Sequence, residues 1–358
     1  MLQVFYLSIL KPYLKKIIFA FFAASLLISL TGCEQASKPS SFKQNIFVFG
    51  TIVNIDIRFA TVNPNNELQA NQAINEIEQT FHQLHKQWHA WDKDGNLYQI
   101  NQAIAKQQSI VVDDETKQFI QKSQLLSKQS NGYFDPGIGQ LIRLWSFHSK
   151  DWQGPPPSQQ QLSSWLTNPA SILDIQFNGN KLSSSNPAVS LDFGANAKGL
   201  ALNKAINILK KHNIKHAIVN IGGDMQTLGL KPLADSKFSR WKIGIQSPFQ
   251  ADKIIAVANL PANISIVTSG TYQRYFNWQG KRYSHLINPK TAQPADSFSS
   301  VTVLHQDAII ADSAATAILI AGQKNWQAIA QQMGISEIMI IQQDGTIIKQ
   351  SNFISLLE

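Results

Sequence analysis

The sequence predicts an α+β fold in a single domain, with mixed, mainly antiparallel sheets and packed helices. Segments with a strand-like pattern and segments with a helix-like pattern follow one another without regular strand–helix–strand alternation. Of the 358 residues, 44% are hydrophobic and 15% are charged, which is typical of a globular protein. The sequence contains no internal repeat and no long linker that would divide it into separate domains.

The N-terminal segment has the layout of a secretory signal. Three lysines precede an apolar run from Ile17 to Leu30, which is too short to span a bilayer comfortably. The run leads into the letters LTGC, and because Cys33 is the only cysteine, a disulfide within the chain is excluded. This stretch resembles the bacterial lipoprotein box, in which the cysteine is acylated and becomes the new N-terminus. The alternative is an uncleaved anchor with a buried cysteine.

The polar segment that follows Cys33 favours the lipoprotein interpretation. We therefore expect a signal peptide over residues 1–32, a flexible tether over 33–44 and a globular domain over 45–358. The mature protein is expected to be exported and lipid-anchored to a bacterial membrane, facing the periplasm, with the inner membrane as the favoured location.

Hydrophobic periodicity predicts the elements of the first half of the chain. The stretch TIVNIDIRF alternates apolar and polar residues and predicts a half-buried strand. NQAINEIEQTFHQLHKQW has apolar residues at helical spacing and predicts a helix. A second helix is predicted from about Asp113 to Ser130, ending at Asn131-Gly132, and the stretch GPPPSQQQLSSW at 154–165 is predicted to be a loop.

The second half alternates less regularly between the two patterns. A helix is predicted after LDFGANAKGL, and HAIVNIGGD predicts a buried strand that runs into a glycine turn. Further strands are predicted in WKIGIQS, KIIAVANL, ISIVTSG and SVTVLHQ. DAIIADSAATAILIAG predicts one helix and the region Trp326–Met333 another, and IMIIQQDGTIIK predicts a closing hairpin around Asp344-Gly345.

Several classes of function are disfavoured by composition and motifs. The net charge of +8 is scattered, and no basic cluster with interleaved aromatic residues indicates a nucleic-acid groove. No His/Cys cluster suits zinc or iron, and neither a G-x-S-x-G elbow nor a Walker-type glycine loop is present.

Two motifs point to a ligand site. In LDFGANAKGL, Asp192 and Lys198 flank small residues, which allow a backbone to approach a ligand closely. In ADSAATA, Asp312 and Thr316 are four residues apart and therefore on one face of the predicted helix. A carboxylate and a hydroxyl at that spacing suit Mg²⁺, although an Asp near a helix start is more often a cap.

Nine motifs in order resemble the ApbE family, the FAD:protein FMN transferases, from Phe49 to about Gly322. They are FGTIVNI, HAWDKDGNLYQIN, GYFDPGIGQLIRLWSF, LDFGANAKGLALNKA, HAIVNIGGDMQTLG, WKIGIQSP, VTSGTYQRYF, RYSHLINPKTAQPA and SVTVLHQDAIIADSAATA. The resemblance implies a single T-fold-related catalytic domain. It also explains the small residues between Asp192 and Lys198, because the family binds a flavin dinucleotide there.

The resemblance assigns roles to residues of this chain. The positions that match family contacts to FAD are Phe49, Trp91, Tyr133, Phe134, Asp135, Asp192, Lys198 and Leu286. Those that match Mg²⁺ ligands are the Ala195 and Ala315 carbonyls and the Asp312 and Thr316 side chains. His285 matches a histidine that assists proton transfer from the acceptor hydroxyl. For Trp91, Tyr133 and Phe134, and for Phe134 above all, the alternative is packing in the core.

Three positions depart from the family pattern. Phe49 replaces a frequent Met, and Thr271 and Asn288 replace frequent Asp residues.

The implied reaction is a Mg²⁺-dependent transfer of FMN from FAD to a threonine hydroxyl of a partner protein, with release of AMP. By the same resemblance, the partners are exported flavin-carrying subunits of Rnf- or Nqr-type redox complexes. Two alternatives remain: a Mg²⁺-dependent FAD pyrophosphatase that frees FMN and AMP, and a non-catalytic periplasmic flavin-binding protein.

The lipid anchor can be tested at Cys33. Because Cys33 is the only acylation candidate, Cys33→Ser should remove the protein from the membrane fraction or block its processing. Fractionation and N-terminal mass spectrometry measure both effects. A variant that is still cleaved and still membrane-bound would contradict the lipoprotein interpretation.

Overall fold

The structure is a computed structural model that describes residues 39–61, 63–149, 154–234 and 237–358. The predicted signal peptide, the lipidation site Cys33 and the first part of the tether lie outside these ranges. The helices are α1 Asn66–Trp88, α2 Asn96–Ala105, α3 Asp114–Gln129, α4 Gly139–Leu144, α5 Gln159–Thr167, α6 Ala197–Lys211, α7 Ala308–Gln332 and α8 Ser351–Ile354. A 3₁₀ turn covers Ile172–Asp174.

The strands are β1 Ser40–Val48, β2 Thr51–Phe59, β3 Ile110–Val111, β4 Ile175–Asn178, β5 Lys181–Ser184, β6 His216–Ile221, β7 Asp224–Leu228, β8 Lys231–Pro232, β9 Phe238–Ser239, β10 Trp241–Gln246, β11 Ile254–Leu260, β12 Ser265–Gly270, β13 Tyr275–Trp278, β14 Lys281–Ser284, β15 Ile287–Asn288, β16 Gln293–Pro294, β17 Phe298–His305, β18 Glu337–Gln342 and β19 Ile347–Lys349. All ladders between them are antiparallel.

One eight-stranded sheet is the centre of the fold, in the order β1-β2-β6-β7-β12-β17-β18-β19. Its strands come from both ends of the chain, so the sheet cannot form from one contiguous segment. Mixed helices and antiparallel sheets confirm the predicted α+β class. No helix in the described part of the chain is both long and apolar enough to span a bilayer.

The two faces of the sheet are covered differently. The larger core lies between one face and the helices, where Val53, Ile55 and Ile57 of β2 point inwards. A smaller core on the other face contains Trp241 of β10 and Leu304 of β17, among other residues. Because both faces are covered around it, β17 is buried along nearly its whole length, whereas β2 alternates.

The close contact between α6 and α7 positions the functional site. A Cβ atom at Gly199 would lie 2.4 Å from the Ala308 carbonyl oxygen, so only glycine permits this approach. The Gly199 N–H donates a hydrogen bond of 3.0 Å to the Asp312 carboxylate. The motifs LDFGANAKGL and ADSAATA, more than a hundred residues apart, are thereby joined.

Helix α7 is broken at one glycine. Gly322 has φ 67° and ψ −174°, a conformation outside the helical region. The break lies between the two helices predicted from the sequence, the first of which ends at the letters AG.

Two boundaries predicted from the sequence are wrong. The domain begins at Ser40 and not at residue 45, because residues 40–48 pair with β2 along their whole length as an edge strand. The polar side chains of residues 40–44 are typical of a tether, but backbone pairing at a sheet edge does not require apolar ones.

The second error concerns the stretch predicted to be a loop at 154–165. Helix α5 begins within it, at a capping box formed by Ser158 and Gln161, and buries Leu162 and Trp165. The letters SQQQ carried that capping signal.

The helix contact can be tested with Gly199→Ala. In an exposed helix this change would stabilise by about 1 kcal/mol. Here the added methyl group meets the Ala308 carbonyl, so we expect destabilisation of about 1–3 kcal/mol by overpacking. Denaturant unfolding measures it, with Asn207→Ala on the exposed side of the same helix as control. A Gly199→Ala protein as stable as the control would contradict the close approach.

Candidate active site

Three charged side chains meet where α6, α7 and β7 converge. The Lys198 ammonium forms an ion pair with Asp224, which is 2% exposed. The other oxygen of Asp224 accepts a 3.0 Å hydrogen bond from the Thr268 N–H. Asp312 is 3% exposed and accepts the hydrogen bond from Gly199. The cluster thus contains two buried carboxylates and a single ammonium group.

The electrostatics of this cluster favour a further cation. Burial raises the pKa of Asp312 to about 7, the Lys198 charge opposes the shift, and the Asp224 charge adds to it. Burial lowers the pKa of Lys198, but the two carboxylates outweigh burial and raise it above its ordinary value. Lys198 is therefore charged and paired with Asp224, while Asp312 lacks a full counter-charge of its own.

The two motifs also supply neutral oxygens. Thr316 lies one helical turn further on, and its hydroxyl is 3.0 Å from the Ser269 hydroxyl of β12. Ala315 is fully buried beside Thr316, and Ala195 is half-buried in the turn before α6. Within the described ranges, no group of three or more His, Cys, Asp or Glu side chains could hold a metal. A metal here would take one carboxylate and several neutral oxygens, a set that suits a hard cation such as Mg²⁺.

The LDFGANAKGL loop is held by the surrounding chain. Asn101 makes two hydrogen bonds to the backbone of Leu191, of 2.9 and 2.7 Å. The Asp192 N–H donates to the Pro136 carbonyl at 2.8 Å, and the Asp192 carboxylate accepts from the Gly194 N–H at 2.9 Å. The Asp192 carboxylate remains half-buried and lies near enough to Arg274 to oppose the lowering of that residue's pKa by burial.

The backbone of Arg274 fixes both the position and the tautomer of His285. The Arg274 carbonyl oxygen accepts the His285 backbone N–H at 3.0 Å and lies 3.1 Å from Nδ1. Because a carbonyl oxygen only accepts, Nδ1 carries the proton and Nε2 carries the lone pair. Burial, followed by the charges of Arg274 and Lys198, lowers the pKa of His285 to about 4, so the ring is neutral at physiological pH.

The predicted flavin-contacting side chains occupy different surroundings. Trp91 is half-buried, with its ring 5.3 Å from that of His148 and under the Arg143 guanidinium. Phe49 has φ 58° in the turn between β1 and β2 and packs on Phe81. Leu286 is buried, and its carbonyl accepts the Ala295 N–H.

The segment from Tyr133 to Asp135 is tied into the protein. Phe134 is 1% exposed and lies in the core, as the alternative interpretation has it. The Asp135 carboxylate accepts hydrogen bonds from the Ser171 and Ser127 hydroxyls and from the Gly137 and Ile172 N–H groups. Burial raises the pKa of Asp135, and these bonds oppose the shift.

The Tyr133 hydroxyl accepts from the Asn325 amide at 2.9 Å, and the Lys290 ammonium lies over its ring. The contacts of Asp135 and Tyr133 therefore hold the segment 133–135 in place. A flavin contact from this segment stays a prediction.

The structure brings several of the predicted site residues together. Lys198 acts electrostatically on both Asp312 and His285. Asp192 acts in the same way on Arg274, whose backbone holds His285. Sequence reasoning missed Asp224 and Arg274. For Asp224 the available signal was an acid directly after Gly222-Gly223 at the end of a strand.

Comparisons with known proteins identify the family of this chain. The family model described as "ApbE family" matches residues 49–340. An FAD:protein FMN transferase of Rhodobacter capsulatus is 35% identical over 325 residues, which cover 90% of this chain and 60% of the relative. An FAD:protein FMN transferase of Vibrio cholerae is 28% identical over 323 residues, covering 90% of this chain and 92% of the relative.

Solved structures are similar over the whole described fold. The crystal structure of an ApbE protein from Thermotoga maritima has a TM-score of 0.78 at 27% identity, covering 88% of this chain and 99% of that one. The flavin transferase ApbE from Vibrio cholerae has a TM-score of 0.75 at 25% identity, covering 89% and 99%. This chain thus spans nearly all of both solved chains but only 60% of the Rhodobacter capsulatus relative.

Proposed function

This chain belongs to the ApbE family, whose curated relatives are FAD:protein FMN transferases, and we propose that it transfers FMN from FAD to a threonine hydroxyl of a partner protein, with Mg²⁺ as cofactor. The observation that carries the proposal is the buried cluster of Lys198, Asp224 and Asp312 beside His285. It combines a cation for the diphosphate, a carboxylate for a metal and a neutral imidazole for a proton.

Mg²⁺ fits the residues around Asp312. That carboxylate has no full counter-charge, and the Thr316 hydroxyl and the carbonyls of Ala195 and Ala315 would complete the protein ligands. When bound, Mg²⁺ would neutralise charge on the FAD diphosphate and favour the departure of AMP. Lys198 would bind the diphosphate while Asp224 holds its ammonium group.

His285 would take the proton of the acceptor hydroxyl. A bond forms between the threonine oxygen and the FMN phosphorus, the anhydride bond to AMP breaks, and the hydroxyl proton moves to Nε2. The low pKa of His285 arises partly from the charges of Arg274 and Lys198. The anionic diphosphate of bound FAD would offset both charges, so FAD binding would make the imidazole a stronger base.

The proposal includes location and partner. The signal-like N-terminus supports export and a lipid anchor at Cys33, and the acceptors would be flavin-carrying subunits of Rnf- or Nqr-type complexes. Strand β1 begins at Ser40, seven residues after Cys33. Seven extended residues span at most about 25 Å, so the domain would stay close to the membrane surface.

The metal assignment predicts different effects for two ligands. Asp312→Asn should abolish transfer at every Mg²⁺ concentration, because water cannot replace the only charge in the set. Thr316→Ala should retain part of the activity and recover as Mg²⁺ is raised, since Mg²⁺ readily keeps water ligands. Fluorescence of the flavin–protein adduct measures transfer, and free FMN with AMP would reveal hydrolysis instead. Near-normal transfer by folded Asp312→Asn at low Mg²⁺ would rule out the assignment.

The same carboxylate predicts a pH dependence. Because the pKa of Asp312 is about 7 in the folded protein, its proton competes with Mg²⁺ below that pH. The Mg²⁺ concentration for half-maximal stabilisation should rise as the pH falls from about 8 to about 6. Without metal, the ionised Asp312 costs stability at high pH, so Asp312→Asn should melt higher than wild type at about pH 8. If Mg²⁺ raised the melting temperatures of wild type and Asp312→Asn equally, this pH dependence would be contradicted.

The role of His285 is tested by His285→Ala. Loss of a general base should lower transfer by about 100-fold or more. FAD binding, followed by flavin fluorescence, should remain, because the backbone N–H that anchors this residue is retained. His82→Ala on the exposed side of α1 is the matched control. A His285→Ala protein that fails to fold or to bind FAD would indicate a structural histidine.

A further inference from the structure

The β13–β14 hairpin connects the proton acceptor to the protein surface. Arg274 directly precedes β13 and His285 directly follows β14. The root of the hairpin is rigid, because the stacked rings of Phe276 and Tyr283 pack against Trp145. Anything that contacts the hairpin is therefore in a fixed relation to His285.

The tip of the hairpin is exposed and carries cations and an aromatic residue. Trp278 is 37% exposed and pairs in register with Lys281, and Asn277 pairs with Arg282. The Arg282 guanidinium lies 4.2 Å from the centre of the Tyr275 ring, and the Lys281 ammonium lies 5.3 Å from that of Tyr283. Tryptophan and arginine are enriched in protein interfaces, and ring contacts of this kind hold long side chains in place.

The charged side chains in and around the hairpin are all positive. Residues 270–295 contain four Lys or Arg and no Asp or Glu. Among the ion pairs of the described ranges, none involves Lys281 or Arg282. Their charges are therefore available to a partner.

The tip is not part of the cluster assigned to the FAD diphosphate. That cluster lies around Lys198 and Asp312, whereas Lys281 is four residues of strand before His285, about 13 Å at ~3.3 Å per residue. The acceptor protein, in contrast, must bring its hydroxyl to His285 from the surface.

We propose that the exposed tip of the β13–β14 hairpin, with Trp278, Lys281 and Arg282, is the docking surface for the acceptor protein and binds an acidic surface next to the acceptor threonine. The proposal rests on the proposed function. Trp278 supplies contact area, and the two cations steer and orient an acidic partner. Docking there leaves the cluster of Lys198 and Asp312 uncovered, so loss of the tip cations is expected to weaken acceptor binding and not FAD binding.

The test measures docking separately from chemistry. The probe is the flavin-carrying subunit of an Rnf-type complex with its acceptor threonine replaced by valine, which cannot receive FMN. Its affinity for the full protein is measured with and without FAD, for wild type and for Lys281→Gln/Arg282→Gln. The control is Lys253→Gln/Lys349→Gln, which removes the same charge from the β10–β11 turn and from β19.

We expect the hairpin variant to bind the probe about 5- to 10-fold more weakly at low salt, with the difference vanishing near ~0.5 M salt as screening removes it. FAD affinity and the transfer rate at saturating unmodified acceptor should match wild type. An unchanged affinity, an equal loss in the control, weakened FAD binding, or no binding of the probe by wild type would each overturn the docking surface. Absence of transfer despite normal docking would instead overturn the proposed function.

Discussion

The burial of two carboxylates beside one half-buried ammonium group is the constraint on which the rest of this structure depends. Lys198, Asp224 and Asp312 come from a helix start, a strand start and a second helix, so the cluster exists only when α6, β7 and α7 are packed together. Burying charge is costly unless each charge is paired or hydrogen-bonded. The Thr268 and Gly199 N–H groups and the Lys198–Asp224 pair meet that requirement for part of the cluster. The remaining deficit, at Asp312, is the feature that a divalent cation would satisfy.

Small residues between the two helices are needed to bring these charges together. The two helices carry opposite charges toward each other, and the Gly199–Ala308 contact permits the distance at which those charges interact. Alanines 195 and 315 likewise keep the side chains of the two motifs small around their backbone carbonyls. Stability and function are in conflict here, because an ionised Asp312 in the interior lowers stability without a metal yet supplies the charge that the metal needs. Such a conflict is typical of a functional site.

His285 is held in position by a different kind of contact. It is placed by backbone hydrogen bonds to Arg274 and by an aromatic hairpin root, not by a carboxylate partner. Burial, and after it the neighbouring cations, lower its pKa and keep it neutral, so its basicity also depends on what anion occupies the site. The hairpin that carries it also reaches the surface with cations that form no ion pair within the described residues, which links recognition of an incoming protein to the position of the base.

The sequence by itself determined the family, the α+β class, most helices and strands, and the residues of the two charged motifs. These features are local, because periodicity of two or 3.6 and short motifs are written within a few residues. The start of the domain was misplaced, since edge pairing of polar residues 40–44 leaves no hydrophobic pattern. Only the tertiary structure decided that Asp224 pairs with Lys198, that Asp135 holds a loop and that the Arg274 backbone sets the His285 tautomer. Each of these contacts joins residues that are far apart in the sequence and meet only on folding. The burial and the hydrogen bonds of such residues cannot be read from a local sequence pattern.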